Sequence, residues 1–279
     1  MIKKLALGFL MVGLTTAMSF AGNHAPGSEG GTIENGKHHK NKHGKGVTAA
    51  VDSAPASDNA SNSPYQPGNV WSSGSNGGSG FGGWSFNNTG SGGEYIGGTG
   101  ETETPSFGVF SADDTDFGSA SRPFTGALGA GQTFSVDIGT TAIDTGGNVG
   151  LNLLAGGTPE FTLKAVGGGT TWELNDGGTD FGIAFPLNIN TKVHFAYTYD
   201  GGSNYQVSLT DGTNTFNSGV FMSTNPISGL DGVQFFSAQQ GSNNNFGANN
   251  LAIVPEPATI LLVGPTMLAG LFYIRRRRS

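Results

Sequence analysis

A cluster of three acidic residues is the first group whose types and spacing could support chemistry. Asp113, Asp114 and Asp116 place three carboxylates within four residues, and oxygen-rich loops of this kind can hold Ca²⁺. Asp also forms turns by hydrogen-bonding to nearby backbone, so an ordinary Asx turn is the alternative. The sequence therefore predicts either a weak calcium site or a polar turn here, and apart from weakly bound metal ions it predicts no cofactor.

A second cluster lies near the N-terminus, where His38, His39 and His43 are interleaved with lysines. Neutral imidazoles are good ligands for Zn²⁺ and Cu²⁺, so a weak site for either metal is one interpretation. The lysines repel a divalent cation, which favours a solvated basic segment instead. Docking of this segment on anionic polysaccharide or lipid headgroups is a third alternative.

Catalysis of glycoside hydrolysis would need two carboxylates facing one cleft, roughly 5 to 9 Å apart. The nearest approach is Glu173 in the run 172–176, which is more simply a strand that leads into a turn at Asp176. His194 is the single histidine between residues 46 and 254, and we expect it to be a half-exposed strand residue bonded to a neighbour. The sequence thus predicts a protein without enzymatic activity, with a glycan-active hydrolase as the alternative.

Binding of a glycan would need exposed aromatic rings that stack on sugar faces, together with amides and carboxylates in loops. The candidate rings are Trp71, Trp84, Tyr95 and Trp172. Aromatic side chains of a sandwich are more often part of its core, so both placements stay open.

The elements that would position these groups are strands. Between residues 84 and 253, short runs with period-two alternation recur between turn residues, and no stretch has a convincing 3.6-residue period. We predict strands over 132–138, 148–154, 160–166, 192–199, 205–209, 213–216, 233–237 and 249–254, with glycine turns at 156–157, 200–203 and 211–212. About ten such strands indicate an all-β fold, a two-sheet antiparallel sandwich of the jelly-roll type.

Charge and composition narrow the class of protein further. Charged residues are 12% of the chain, about half of the usual share, and the absence of cysteine excludes disulfides and thiolate metal sites. Between residues 46 and 254, three basic residues against seventeen acids leave a net charge of −14. Such a surface repels phosphate, so the sequence excludes nucleic acid as a partner.

The N-terminal residues have the three parts of a secretory signal. Lys3 and Lys4 precede the apolar run 5–14, and small residues at Ser19 and Ala21 form a cleavage site. We therefore predict a signal peptide over 1–21, recognised by the Sec translocon and cut by signal peptidase after Ala21. The stretch 22–83 is rich in Gly, Ser and Asn, and we predict that it is a disordered linker.

The C-terminal residues form a membrane-anchoring signal. The apolar run 258–274 has 17 residues and would span roughly 25 Å as a single transmembrane helix. The positive-inside rule keeps the arginines that follow it in the cytoplasm. Ahead of the helix, the prolines of the motif lack backbone donors and hold it extended, as a peptidase substrate must be. The motif is Val254, Pro255, Glu256 and Pro257, and the basic cluster is Arg275, Arg276, Arg277 and Arg278.

This end resembles the PEP-CTERM sorting domain over residues 254–279, since motif, helix and arginines occur in that order. The resemblance implies cleavage near Glu256 by exosortase, a membrane-embedded peptidase of bacteria that produce exopolysaccharide. It also implies a precursor held transiently in the inner membrane with its core in the periplasm, and a mature form at the cell surface or in the extracellular matrix. An uncut tail anchor is the alternative.

The segment 84–253 resembles the concanavalin A-like or laminin-G-like domains found ahead of such signals. The likeness rests on four fragments, which are 106–110, 122–124, 134–137 and 246–251. Together with the signals at both ends, it implies an exported surface or matrix protein whose partner is exopolysaccharide.

Processing of the C-terminus gives a first testable prediction. Cleavage near Glu256 removes the helix and the arginine cluster, so the surface form is expected to lack Arg275–Arg278. Intact-mass spectrometry of the protein recovered from the cell surface measures this directly. A surface form that retains all four arginines would rule out processing.

Overall fold

Alternating apolar and polar residues produce strands throughout the folded part of the chain. The structure, a computed structural model, describes residues 55–66, 68, 70–98, 104–177, 180–223, 229–241 and 244–255. Within these residues all regular secondary structure is β-strand, as the sequence predicts. In chain order the strands are β1 (Ala56–Asp58), β2 (Ser85–Phe86), β3 (Gly93–Gly97), β4 (Ser106–Phe110), β5 (Phe117–Pro123), β6 (Gln132–Thr140), β7 (Asn148–Ala155), β8 (Thr158–Val166), β9 (Thr171–Asn175), β10 (Asp180–Pro186), β11 (Val193–Gly201), β12 (Asn204–Thr210), β13 (Thr215–Asn217), β14 (Phe221–Met222), β15 (Leu230–Ala238) and β16 (Asn245–Val254).

The strands form two antiparallel sheets, which confirms the predicted sandwich. A nine-stranded sheet has the order β13-β12-β11-β6-β16-β4-β3, with β1 paired to β16 and β14 paired to β12. A seven-stranded sheet has the order β10-β9-β8-β7-β15-β5-β2. The structure resolves more strands than the ten expected because several are only two or three residues long.

The core lies between the two sheets and is rich in aromatic rings. Phe161 of the seven-stranded sheet packs edge-on against Tyr197 of the nine-stranded sheet at 5.0 Å between ring centroids. Phe235 meets Phe246 across the layers at 6.0 Å. Period-two alternation sends such residues inward, so the side chains between them point outward from each sheet.

The hairpin between β11 and β12 shows how the predicted turns form. Gly201 and Gly202 have φ angles of 98° and 64°, a region where an L side chain would be strained. The turn sets Tyr199 opposite Tyr205 and Tyr197 opposite Val207. Alternation along β11 sends Val193, Phe195 and Tyr197 into the core, and Tyr199 packs partly buried against it.

Part of the predicted linker belongs to the sandwich, so the boundary placed at residue 84 is wrong. Ala56 pairs with Ile253 in the nine-stranded sheet, while Ser57 bridges Ser79. Tyr65 is fully buried. The Gly, Ser and Asn content of this segment suggested disorder, yet its few large residues are enough to anchor it to the core.

A buried ion pair fixes this N-terminal segment to the seven-stranded sheet. The guanidinium of Arg122 on β5 donates to the carboxylate of Asp58 on β1, and both side chains are fully buried. Tyr65 Oη donates to the same carboxylate at 2.8 Å. Arg122 also donates to Asn76 Oδ1 at 2.7 Å and to the Gly82 carbonyl at 2.8 Å. Strands of both sheets therefore meet at one pair of charges.

Aromatic rings enclose the pair on its remaining sides. The guanidinium carbon lies 4.6 Å from the ring centroid of Phe81 and 4.7 Å from that of Trp84, within range for cation–π attraction. Trp84 Nε1 donates to Tyr65 Oη at 3.0 Å, and burial raises the pKa of Tyr65 to about 12. Tyr65 thus stays protonated and continues to donate to Asp58.

Removal of Asp58 tests this arrangement. The substitution Asp58→Ala leaves the Arg122 guanidinium buried without its counter-charge and is expected to lower the free energy of unfolding by about 3–5 kcal/mol. Asp200→Ala, which removes a carboxylate bonded to Gln206 on the sheet surface, is the matched control and should cost less than about 1 kcal/mol. Urea unfolding measures both. Equal stabilities of the two variants would contradict a central role for the pair.

Candidate functional site

The three carboxylates proposed for calcium do not converge. Asp113 and Asp114 are exposed, and a hydrogen bond between them lowers the pKa of Asp113 and raises that of Asp114. Asp116 is 7% exposed and accepts from the backbone N–H of Ser91 at 2.9 Å. Among the described residues no group of three or more His, Asp or Glu side chains could hold a metal ion. The backbone turns here, with the Asp116 N–H donating to the Asp113 carbonyl at 3.1 Å.

The predicted processing and histidine sites lie largely outside the described residues. Strand β16 ends at Val254, and Pro255 is the last residue described. The described residues contain no helix long and apolar enough to cross a bilayer. Among the residues singled out from the sequence, those outside the described part of the chain are Ala21, His38, His39, His43, Glu256, Pro257, the run 258–274 and the cluster Arg275–Arg278.

The tryptophans do not form a stacking platform for sugars. Trp84 and Trp172 are each 1% exposed. Trp71 is partly buried and packs edge-on against Trp84, with 4.9 Å between the centroids. Tyr95 is half-buried on the outer face of the nine-stranded sheet, where its ring lies over Gly108. The core alternative therefore holds for all three tryptophans.

The outer face of the seven-stranded sheet carries a feature that the sequence analysis missed. One outward residue from each strand stands in register with its neighbours, and every one of them is polar. We call this set the polar row; from β2 to β10 it comprises Ser85, Ser121, Gln234, Asn152, Thr162, Asn175 and Asp180. Neighbouring strands lie about 4.8 Å apart, so the row is roughly 30 Å long.

Hydrogen bonds between side chains hold the polar row in one arrangement. Asn152 Nδ2 donates to Gln234 Oε1 at 2.8 Å, and Thr162 Oγ1 donates to Asn152 Oδ1 at 2.7 Å. Asn175 Nδ2 donates to Asp180 Oδ1 at 2.8 Å. Asn152 is 8% exposed, so the centre of the row is recessed while Asp180 at its end is open. These bonds fix which atoms face the solvent.

A lysine and two carboxylates flank the β10 end of the polar row. Lys164 Nζ donates to Asp180 Oδ2 at 2.7 Å and lies 3.8 Å from Glu173 Oε2. The hydrogen bonds from Lys164 and Asn175 lower the pKa of Asp180. Lys164 is therefore neutralised by its own neighbours. Glu173 lies on β9 before the Asp176 turn, as the simpler prediction had it.

A depression adjoins the other end of the polar row. It has a volume of about 220 Å³, and its lining includes Ser121, Pro123, Leu154, Asp231 and Gly232. Ser121 belongs to the polar row, so the two features form one continuous surface.

The outer face of the nine-stranded sheet carries a second polar group. His194 Nδ1 lies 2.7 Å from Asp137 Oδ1, and Asn250 Nδ2 donates to Asp137 Oδ2 at 2.8 Å. The His194 side chain is 49% exposed. Hydrogen bonding of a half-exposed strand histidine to a neighbour is the placement that the sequence predicts.

The polar row could not have been found without the strand register. Asn152, Thr162 and Gln234 each lie within a predicted strand, at positions where alternation points the side chain outward. They are separated by up to 82 residues in the chain. Which of the outward polar residues stand opposite one another depends on strand order, and that is set by long-range pairing.

Comparison with known proteins finds similar structures but no similar sequence. No protein-family model matches the chain, and no curated protein sequence does. Among solved structures, the chain is similar to a sialidase, with a TM-score of 0.45 and 12% identity over 56% of this chain and 16% of that one. It is similar to the carbohydrate-binding module CBM66 from Bacillus subtilis, with a TM-score of 0.38 and 13% identity over 60% and 92% of the two chains.

The lumenal domain of VIP36 in its Ca²⁺-bound form is a further similar structure. The TM-score is 0.40 and the identity 10%, over 62% of this chain and 83% of that one. The chain thus spans only 16% of the length of the sialidase and most of the length of the other two. These similarities concern the β-sandwich fold, and they do not bear on the residues after Pro255.

Acid titration tests the environment of Asp137. Burial raises the pKa of Asp137, but hydrogen bonds from His194 and Asn250 outweigh it, and the pKa lies below its ordinary value. The stabilisation is therefore complete above the unfolded-state pKa of about 3.9 and is lost as the pH falls through the folded-state pKa.

Wild type is accordingly expected to be more stable than Asp137→Asn at pH 7, and the difference should shrink below about pH 4. Urea unfolding at pH 7, 5, 4 and 3 measures it. Gln206→Ala, which removes no ionisable group from the same face, is the control and should differ from wild type by a constant amount. A difference for Asp137→Asn that grows toward low pH would contradict the assignment.

Proposed function

We propose that this protein is exported and, without enzymatic activity, binds an uncharged polysaccharide outside the cell through the outer face of its seven-stranded sheet. The polar row is the observation that supports this proposal. It presents amide and hydroxyl groups from six neighbouring strands in one line, followed by the Asp180 carboxylate from the seventh.

Sugar hydroxyls both donate and accept hydrogen bonds, and the amides and hydroxyls of the polar row can bond to them in both ways. The bonds among Asn152, Gln234 and Thr162 hold their side chains before any ligand arrives, so less conformational entropy is lost on binding. A row roughly 30 Å long suits an extended chain better than a small molecule. The chemistry therefore favours a polymer that crosses the strands.

The charges on this face favour a polymer without acidic groups. Lys164 is engaged by Asp180 and Glu173, so it offers little attraction to an anion. The stretch 46–254 carries a net charge of −14, which repels uronate or phosphate groups. An uncharged polysaccharide needs no cation on this face and is not repelled by the acidic residues.

The charges of Lys164, Asp180 and Glu173 also argue against hydrolysis as the activity. A glycosidase needs a carboxyl group that keeps its proton near neutral pH, together with a second, ionised carboxylate. Asp180 has the opposite property, because Lys164 and Asn175 lower its pKa. Glu173, the residue on which the hydrolase alternative depends, lies beside the same ammonium group. Salt bridges to Lys164 therefore explain the placement of both carboxylates better than acid catalysis does.

Export and release belong to the proposal through the signals at the two ends of the chain. The Sec translocon, signal peptidase and exosortase are the partners that these signals imply. Strand β16 reaches Val254 without a spacer before the motif, so the sandwich would lie close to the membrane until cleavage near Glu256 releases it. The mature protein would then reside at the cell surface or in the exopolysaccharide matrix.

Substitution of one row residue tests the binding face. Gln234→Ala removes the acceptor for Asn152 and a group that would contact the sugar, so affinity for the bound polymer should fall by about threefold to tenfold. Gln206→Ala makes the same change on the outer face of the other sheet and should leave affinity unaltered. Binding to arrayed neutral and acidic polysaccharides measures both variants.

Three results of this experiment would contradict the proposal. Equal loss of affinity in both variants would place the site elsewhere, and preferential binding of acidic polymers would overturn the charge argument. Steady release of reducing sugar that is abolished by Glu173→Gln would establish the hydrolase instead.

A further inference from the structure

We propose that the depression beside the polar row receives the acetamido group of an N-acetylhexosamine unit, so that the polysaccharide is an N-acetylated amino-sugar polymer. This inference rests on the proposed function, since the polar row must hold the chain that carries the group.

The floor of the depression is apolar and lies two residues along the strands from the polar row. Pro123, Gly232 and Leu154 stand opposite one another on β5, β15 and β7. Gly232 has no side chain, so the surface drops between its two neighbours. Leu154 points away from the core between the sheets and is 8% exposed. A methyl group placed here would lose its contact with water against these side chains.

The rim of the depression carries one carboxylate, and a bulge in β15 determines where it points. Leu230 pairs with Ala155 and Gly232 with Leu154, so Asp231 is an extra residue without a partner on β7. Bulges of this kind redirect side chains. Asp231 Oδ1 accepts from the Gly156 backbone at 3.0 Å, which holds the carboxylate at the rim. An ionised carboxylate accepts about four hydrogen bonds, so it has room for a ligand N–H.

An acetamido group matches both features at once. Its methyl is apolar and suits the floor of Pro123 and Leu154, while its N–H is a donor for Asp231. A sugar hydroxyl in the same place would gain the hydrogen bond but would leave the apolar floor without a partner.

The size of the depression is consistent with one substituent of a longer chain. Its volume of about 220 Å³ is below the range of roughly 300–1,000 Å³ typical of pockets that enclose a whole ligand. Ser121 lies both in its lining and in the polar row. A polymer on the row would therefore place a substituent in the depression without leaving the row.

The test compares two oligosaccharides of equal length with the same β-1,4 linkage. Chito-oligosaccharide carries an acetamido group on every ring, and cello-oligosaccharide carries a hydroxyl in its place. Isothermal titration calorimetry with the mature protein is expected to show at least about tenfold tighter binding of the chito-oligosaccharide.

Two substitutions change the depression in different ways. Asp231→Asn can keep its bond to Gly156 only by turning its NH₂ group toward the ligand N–H, which sets donor against donor. Gly232→Ala places a methyl 3.1 Å from the Arg122 carbonyl oxygen and 3.6 Å from Leu154 Cδ1, which fills the floor. Each should reduce the chito-oligosaccharide affinity to the level of the cello-oligosaccharide.

Gly126→Ala is the matched control for the second substitution, because a Cβ there meets no atom within 4 Å, and it should retain the tenfold preference. Thermal melting confirms that each variant is folded, and Asp231→Asn decides the outcome if Gly232→Ala is not.

The results separate this inference from the proposed function. If both oligosaccharides bind equally and Gln234→Ala weakens both, the polar row is a binding face and the acetamido site is wrong. If the preference exists but persists in both depression variants, it arises elsewhere and the inference is also wrong. Absence of binding to either oligosaccharide and to every neutral polymer would overturn both proposals.

Discussion

The charge on Arg122 lies between the two sheets, and the Asp58 carboxylate is what allows it to remain there. Burial of either charge alone would cost several kcal/mol. Together they are enclosed by Tyr65, Asn76 and the ring of Trp84. All of these partners come from the segment that precedes β2, so the pair couples this segment to the rest of the sandwich.

The ion pair also bears on the outer surface, because alternation along β5 links inside to outside. Arg122 points inward, while Ser121 and Pro123 on either side of it point outward. Ser121 belongs to the polar row, and Pro123 forms part of the floor of the depression. A fixed position for the guanidinium therefore fixes the strand that carries one end of the proposed binding face. Strand β5 therefore contributes Arg122 to the stability of the sandwich, and Ser121 and Pro123 to the proposed binding face.

The two outer faces show how a chain with little charge can still present a specific surface. Side-chain bonds such as Asn152 to Gln234 satisfy polar groups that alternation places on the seven-stranded sheet. On the other sheet the Asp137 carboxylate is paired with His194 and Asn250. The first face combines a continuous row, uncharged except for Asp180 at its end, with an adjoining depression that has an apolar floor. For this reason it, and not the His194 group, carries the proposal.

Local sequence patterns predicted the strands and the two-sheet sandwich but not the order of the strands within each sheet. Alternation in 193–199 and the glycines at 201–202 were sufficient for the β11–β12 hairpin, because both act over a few residues. The role of residues 55–83 was missed, since it depends on contacts between distant residues, among them the buried pair of Asp58 and Arg122, 64 positions apart. The polar row depends on register between distant strands in the same way. The spacing of Asp113, Asp114 and Asp116 did not reveal that Asp116 turns toward Ser91, away from the other two carboxylates.

The most direct test of the account is where on the surface the polysaccharide binds. In ¹H–¹⁵N spectra of the labelled mature protein, side-chain amide signals of Asn152, Asn175 and Gln234 should move as a neutral polysaccharide is added, while those of Gln206 and Asn217 should not. Movement confined to Gln206 and Asn217, on the opposite sheet, would contradict the assignment of the binding face.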